Sequence, residues 1–114
     1  MTKAQKLDLI KRIQNYFRED VEQEYINEYG YIMPLFVFRD LMSLSLYNTY
    51  FDTSCGFNKE VKKHYYKRAI TDEQLEHMNN IFKYLIEIKA ISLTKSKKAV
   101  RISDKIMWYN NILY

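Results

Sequence analysis

The sequence predicts a single, mainly α-helical domain with a small β-hairpin near its carboxyl end. The chain of 114 residues contains only two glycines and one proline, too few for the many tight turns of a β-sandwich. Apolar residues recur every three or four positions as far as Ala90 and alternate with polar residues after it. This change of period indicates helices followed by two strands. The length is that of one domain, residues 1–114.

The first helical segment covers residues 3–28 and precedes a glycine. Its spacing predicts either one long helix or two helices joined near residues 18–20, and Gly30 is expected to end it in a left-handed conformation. The apolar stripe is expected to pack within the chain or to form a homodimer interface, so residues 1–30 form an N-terminal helical extension. The stripe consists of Leu7, Ile10, Ile13, Phe17, Val21 and Tyr25.

The next segment, residues 31–51, is ambiguous at its start. Leu41, Leu44 and Tyr47 have helical spacing, and Pro34 suits the beginning of a helix. Residues 31–38 are also apolar enough to form a short strand. Both alternatives are therefore open for that stretch.

Two further helices are predicted after a loop around Gly56. Asn58 can cap a short helix that extends to residue 68. Thr71 stands three residues before Gln74, the spacing of a capping box, and opens a longer helix that ends at about Lys89. The apolar face of this capped helix consists of Leu75, Met78, Phe82 and Leu85.

The carboxyl-terminal part is predicted to be a hairpin followed by one more helix. Residues 91–94 and 100–103 alternate between apolar and polar side chains, and residues 95–98 form the tip. Because the tip lacks glycine, we expect a longer, mobile loop instead of a tight two-residue turn. Asp104 can cap a helix over residues 104–114, which is apolar on several sides and is expected to dock on the first helix of its own chain or of a second subunit.

Charge and cysteine content narrow the functional classes. Residues 1–30 carry five basic and six acidic side chains, whereas residues 57–101 carry eleven basic and five acidic ones. This asymmetry favours a polyanionic partner. The single cysteine, Cys55, cannot form an intrachain disulfide, and no apolar run approaches the roughly 20 residues of a membrane span. A cytoplasmic protein without membrane contact is expected.

Residues 34–103 resemble the core of a winged helix-turn-helix domain. Residues 34–51, 58–68 and 71–89 correspond to its three helices, and the run from Leu85 to Ile91 leads into a two-stranded wing. Family members usually place glycine just before the final isoleucine, where this chain has Lys89 and Ala90. The resemblance implies a winged helix-turn-helix with extra N- and C-terminal helices that binds double-stranded DNA, with the capped helix near the major groove and the wing against the neighbouring backbone.

The candidate DNA-binding residues fall on the basic helix, the capped helix and the wing. Asp72, Glu73 and Glu76 crowd the start of the capped helix and would oppose phosphates, so the wing and the basic helix are expected to provide more of the contact. The alternative interpretation of the basic side chains is a solvated face. The candidates are Lys59, Lys62, Lys63, Tyr66, Lys67 and Arg68 on the basic helix, Gln74, His77, Asn80 and Lys83 on the capped helix, and Lys95, Ser96, Lys97, Lys98 and Arg101 on the wing.

Catalysis is not expected, and neither is a cofactor or a metal. Cys55 with His64 or His77 does not have the spacing of a zinc site, and nothing in the sequence fixes a thiol–imidazole pair. Glu87 and Lys89 match the Glu-x-Lys element of a nuclease superfamily, but they end a helix instead of lying on a strand. We therefore expect a non-catalytic, homodimeric DNA-binding protein acting at an operator or at a plasmid or phage replication or transfer origin. The alternative is a winged-helix module that binds another protein.

Overall fold

The fold is mainly helical and contains a three-stranded antiparallel sheet. A computed structural model describes residues 1–49 and 71–108, without the side chain of Trp108. The predicted loop at Gly56, the predicted helix over residues 58–68 and the last six residues of the predicted terminal helix lie outside this range. The elements are α1 (Lys3–Glu19), α2 (Gln23–Tyr29), β1 (Ile32–Pro34), α3 (Leu35–Tyr47), α4 (Asp72–Glu87), β2 (Ile91–Leu93), β3 (Ala99–Ile102) and α5 (Asp104–Trp108).

The N-terminal segment forms two helices, the second of the predicted alternatives. Thr2 opens α1 with a capping box, because its hydroxyl accepts a hydrogen bond from the Gln5 N–H at 3.1 Å. The break between α1 and α2 shifts the apolar stripe by one position. Ile26 is therefore buried, whereas Tyr25 is 42% exposed, and the prediction that Tyr25 belongs to the stripe is wrong.

Helix α1 buries Ile10, Ile13 and Phe17 of the predicted stripe within its own chain, against α3 and α5. Leu7 is only partly buried and lies outside the core, and Leu9 is fully buried in its place. The Gln14 carboxamide donates hydrogen bonds to the carbonyl oxygens of Ile106 at 3.1 Å and Met107 at 3.3 Å. The terminal helix therefore docks on the first helix of the same chain. Its predicted cap is wrong by one residue, since the Ser103 hydroxyl accepts the hydrogen bond from the Lys105 N–H at 3.2 Å, and Asp104 is already helical.

The ambiguous stretch after residue 31 contains both predicted elements, a strand and then a helix. Strand β1 pairs with β3, and β3 pairs with β2, so the sheet order is β1-β3-β2 with every pair antiparallel. Pro34 ends β1 and stands immediately before α3, where its fixed φ suits the turn into the helix. The hairpin is thus extended by a third strand.

The core lies between one face of the sheet and the helices. Met33 and Val100 are fully buried on neighbouring strands, and the rings of Phe38 on α3 and Phe82 on α4 meet edge to face at 5.8 Å. The predicted apolar face of α4 is confirmed, with Met78 and Leu85 the most deeply buried of its members. The fully or almost fully buried apolar side chains are Leu9, Ile10, Ile13, Phe17, Ile26, Met33, Phe38, Met42, Met78, Leu85, Ala90, Ile91, Val100, Ile102 and Ile106.

A hydrogen bond joins the end of α3 to the beginning of α4. The Tyr47 hydroxyl donates a hydrogen bond to the carbonyl oxygen of Gln74 at 3.1 Å, next to the predicted capping box of Thr71 and Gln74, which the structure confirms. Asn48 ends α3 with a φ of 54°, a conformation that asparagine tolerates better than most residues. Burial raises the pKa of Tyr47 above its ordinary value of 10.

Replacing Tyr47 with phenylalanine tests the contribution of this hydrogen bond to stability. We expect the Tyr47→Phe variant to lose about 1 kcal/mol of unfolding free energy, the usual contribution of one hydrogen bond. Because the pKa of Tyr47 is raised in the folded state, its contribution is complete below pH 10 and is lost as the pH rises through the folded-state pKa. Chemical denaturation at pH 7 and above pH 10 should therefore show a smaller difference between variant and parent at the higher pH. The exposed Tyr84→Phe variant is the control, and equal effects of the two substitutions would contradict the prediction.

Candidate nucleic-acid interface

The tip of the hairpin is a four-residue loop, Lys95–Lys98, which we call the lysine loop. Its geometry is set by Thr94, whose N–H donates to the carbonyl oxygen of Ala99 at 3.1 Å and whose own carbonyl accepts from the Lys97 N–H at 2.9 Å. Lys97 has a φ of 57°, the left-handed conformation that glycine adopts most easily. The prediction of a loop longer than two residues is confirmed.

The lysine loop displays its cations from a fixed backbone. Lys95, Lys97 and Lys98 are exposed, and the Lys98 carbonyl accepts a hydrogen bond from the Leu35 N–H, at 2.9 Å, where α3 begins. The Ser96 hydroxyl lies 3.2 Å from that of Thr94 and accepts from the Lys98 N–H at 3.4 Å. Ser96 therefore orders the loop, on which the three lysines are exposed.

Arg101 stands apart from the lysine loop. It occupies the middle of β3, opposite Ile32 and Ser92, and its Nη1 donates a hydrogen bond to the carbonyl oxygen of Tyr29 at 2.8 Å. This bond holds the guanidinium at the end of α2, where the helix dipole favours a positive charge. Arg101 and the lysine loop thus belong to two different surfaces.

The outer face of α4 is more acidic than basic. His77, Asn80 and Lys83 are exposed, as a base-reading role would require. Glu73, Glu76 and Glu87 are exposed on the same helix, so its carboxylates outnumber its single lysine, Lys83. Gln74 is held by the capping box, because its carboxamide oxygen accepts the Thr71 N–H at 2.9 Å. The carboxylates oppose a phosphate backbone.

The remaining sequence candidates lie outside the described residues. These are the basic-helix residues Lys59, Lys62, Lys63, Tyr66, Lys67 and Arg68, together with Cys55 and His64. Within residues 1–49 and 71–108, no group of three His, Cys, Asp or Glu side chains is placed to hold a metal ion. Glu87 ends α4 and Lys89 follows the helix, so the two do not lie on a strand as the nuclease element would require.

Lys89 is the residue whose importance the sequence did not reveal. Its N–H donates to the carbonyl of Ile86 at 3.0 Å, and the Ala90 N–H donates to that of Leu85 at 2.9 Å, which together form a Schellman motif. Lys89 adopts a φ of 60° in this motif, at the position where glycine is usual. The absence of glycine before Ile91 was the one sequence feature that could have drawn attention to Lys89. The Schellman turn forms with lysine at this position.

Comparison with known proteins adds no relatives: neither the family models, nor the curated proteins, nor the solved structures gave a match. Across the part of the chain that the structure describes, the helices are too short or too polar to cross a bilayer. Inference about function therefore depends on the geometry above.

Gly30 leaves room for the Arg101 guanidinium beside it. It has a φ of 82° and a ψ of −165°, a region that only glycine adopts readily. A Cβ placed on it would lie 3.2 Å from Arg101 Nη1. We expect Gly30→Ala to lower the unfolding free energy by about 2 kcal/mol, measured by urea denaturation.

A double-mutant cycle separates the two causes. In an Arg101→Ala background the contact with the guanidinium is gone and only the backbone strain is left, so Gly30→Ala should destabilise by less than in the parent. Strict additivity of the two substitutions would show that Gly30 and Arg101 do not interact.

Proposed function

We propose that this chain binds double-stranded DNA without catalysis, chiefly through the lysine loop. The observation that carries this proposal is that, from Ile88 to Ser103, the chain has five cationic side chains and not one carboxylate. Three of the five are exposed on the loop. A surface of this kind binds phosphates by releasing their counterions and requires no particular base sequence.

The arrangement of the hairpin supports this proposal. The core-facing side chains of its two strands, Ile91, Val100 and Ile102, are buried. The Leu35 N–H donates a hydrogen bond to the Lys98 carbonyl at the end of the loop. Lysine side chains on a fixed loop lose less conformational freedom on binding than those on an unanchored one. The loop can therefore act as a rigid contact with the DNA backbone.

The order of elements is also compatible with a winged helix-turn-helix, which remains part of the proposal. Among the described elements, α2, β1, α3, α4 and the hairpin occur in this order, with residues 50–70 between α3 and α4 outside the described range, and β3 lies between β1 and β2. The acidic outer face of α4 favours a mode in which the hairpin, and not α4, makes the principal contact. The homodimer stays a prediction, and the apolar stripe of α1 is not its interface because that stripe is buried within the chain.

Reversing two charges on the lysine loop tests the proposal. The variant Lys97→Glu with Lys98→Glu should weaken binding to duplex DNA by at least about tenfold and reduce the salt dependence of binding. Fluorescence anisotropy with a labelled random-sequence duplex at several salt concentrations measures both quantities.

A matched control carries the same change of net charge elsewhere. Lys11 and Arg18 are exposed on α1, so Lys11→Glu with Arg18→Glu alters the overall charge equally and leaves the loop intact. If this control weakens binding as much as the loop variant does, the lysine loop is not the contact surface.

The acidic face of α4 supports a second candidate function, binding to a basic surface of another protein. Glu76 and Glu87 are exposed on that face, and Glu76→Lys with Glu87→Lys should abolish co-purification of such a partner from a lysate while the thermal stability is retained. If α4 instead approaches DNA, the same variant should bind duplex several-fold more tightly, because two repulsive charges become attractive. An unchanged affinity for both would exclude α4 from either interface.

A further inference from the structure

A groove lies at the base of the hairpin, at the opposite end from the lysine loop. This open groove has a volume of about 570 Å³ and lies where the end of α2, the end of α4 and the outer side of β3 come together. This is a volume typical of small-molecule sites. Its polar lining residues are Lys89, Ser92, Arg101, Ser103 and Asp104.

Arg101 is pre-organised in this groove. The hydrogen bond from Nη1 to the Tyr29 carbonyl, at 2.8 Å, anchors one nitrogen of the guanidinium. Gly30 also lines the groove. A Cβ at this position would lie 3.2 Å from Arg101 Nη1, so the absence of a side chain leaves space for the guanidinium. Since a guanidinium has five N–H donors, most of its planar fork is available to a second acceptor.

Lys89 supplies the second cation at an energetically unfavourable backbone position. Its φ of 60° places a lysine where glycine would complete the Schellman motif with less strain. Within the described residues, its ammonium group has no hydrogen bond or ion pair. The groove thus contains a strained residue whose ammonium group makes no ion pair with the described residues.

The balance of charge in the groove is positive. Two cationic residues, Lys89 and Arg101, and one carboxylate, that of Asp104, line the groove, and the hydroxyl groups of Ser92 and Ser103 add hydrogen-bonding capacity. Arginine and lysine both bind tetrahedral oxyanions. The guanidinium of arginine donates paired N–H hydrogen bonds, and the ammonium group of lysine acts as a point charge.

We propose that this groove binds a phosphate group, with Arg101 and Lys89 as its ligands. The site is separate from the lysine loop and does not rest on the proposed binding of DNA there. The phosphate can belong to a small phosphorylated molecule or to the backbone of a nucleic acid that also contacts the loop, and the recognition chemistry is the same.

The test uses the full chain and inorganic phosphate or adenosine 5′-monophosphate as probes, at constant ionic strength against sodium chloride. Backbone amide resonances of Lys89, Ser92 and Arg101 should shift saturably with either phosphate probe and not with chloride. Lys89→Gly should lower the affinity by about tenfold, the effect of losing one charge-assisted hydrogen bond, while raising the melting temperature by about 5 °C because the backbone strain is relieved.

Two further variants make the outcome decisive. Lys89→Gln keeps the strained backbone without the charge and should lose affinity without gaining stability. Lys97→Gly relieves strain in the lysine loop and should leave phosphate binding in the groove unchanged. The proposal is overturned if the parent shows no saturable shift, or if Lys89→Gly and Lys89→Gln bind phosphate as well as the parent does.

Measuring the affinity of the variants for duplex DNA distinguishes the two sources of the phosphate. The same measurement tests this proposal separately from the proposed binding of DNA by the lysine loop. A loss of duplex affinity in Lys89→Gln assigns the groove to the nucleic-acid backbone, whereas an unchanged duplex affinity assigns it to a small phosphorylated ligand. Failure of the lysine-loop variant to weaken duplex binding would refute the proposed function and leave phosphate binding by the groove intact.

Discussion

The central strand β3 joins parts of the chain that are far apart in sequence. It pairs with β1 on one side and β2 on the other, and its Val100 and Ile102 are buried in the core. At its two ends, Lys98 accepts a hydrogen bond from Leu35 and Ile102 donates one to Tyr31. The hairpin is therefore part of the folded body and not an appendage, so the positions of its cations are determined by the packing of the core.

The alternation of side chains on β3 separates two charged surfaces. Val100 and Ile102 point into the core and Arg101 points away from it, towards the end of α2. The lysine loop lies beyond the strands and the groove lies at their base, while the outer face of α4 is acidic. If the proposed binding of a polyanion to the loop occurs, the cations of the hairpin would attract it and the carboxylates of α4 would repel it, and this difference would orient it on the domain.

Much of the fold follows from local sequence signals, because these elements are stabilised by local interactions. The capping boxes of Thr2 and Thr71 and the alternation around Val100 depend on neighbours only a few residues away. The pairing of β1 with β3 joins residues about seventy positions apart, and three residues give too little periodicity to reveal a strand. The site was predicted least well, since the contact of Arg101 with Tyr29 is set by tertiary packing, and the left-handed backbone of Lys89 occurs where sequence rules predict glycine.

The hydrogen bond from Tyr47 to Gln74 also has a topological consequence. It brings the end of one helix and the beginning of the next to the same point of the domain, although twenty-six residues separate them in the chain. The entropic penalty of closing a loop rises only slowly with its length, by about 0.6 kcal/mol for each doubling. The contact between Tyr47 and Gln74 therefore costs little more chain entropy than a contact between helix ends that are closer in sequence.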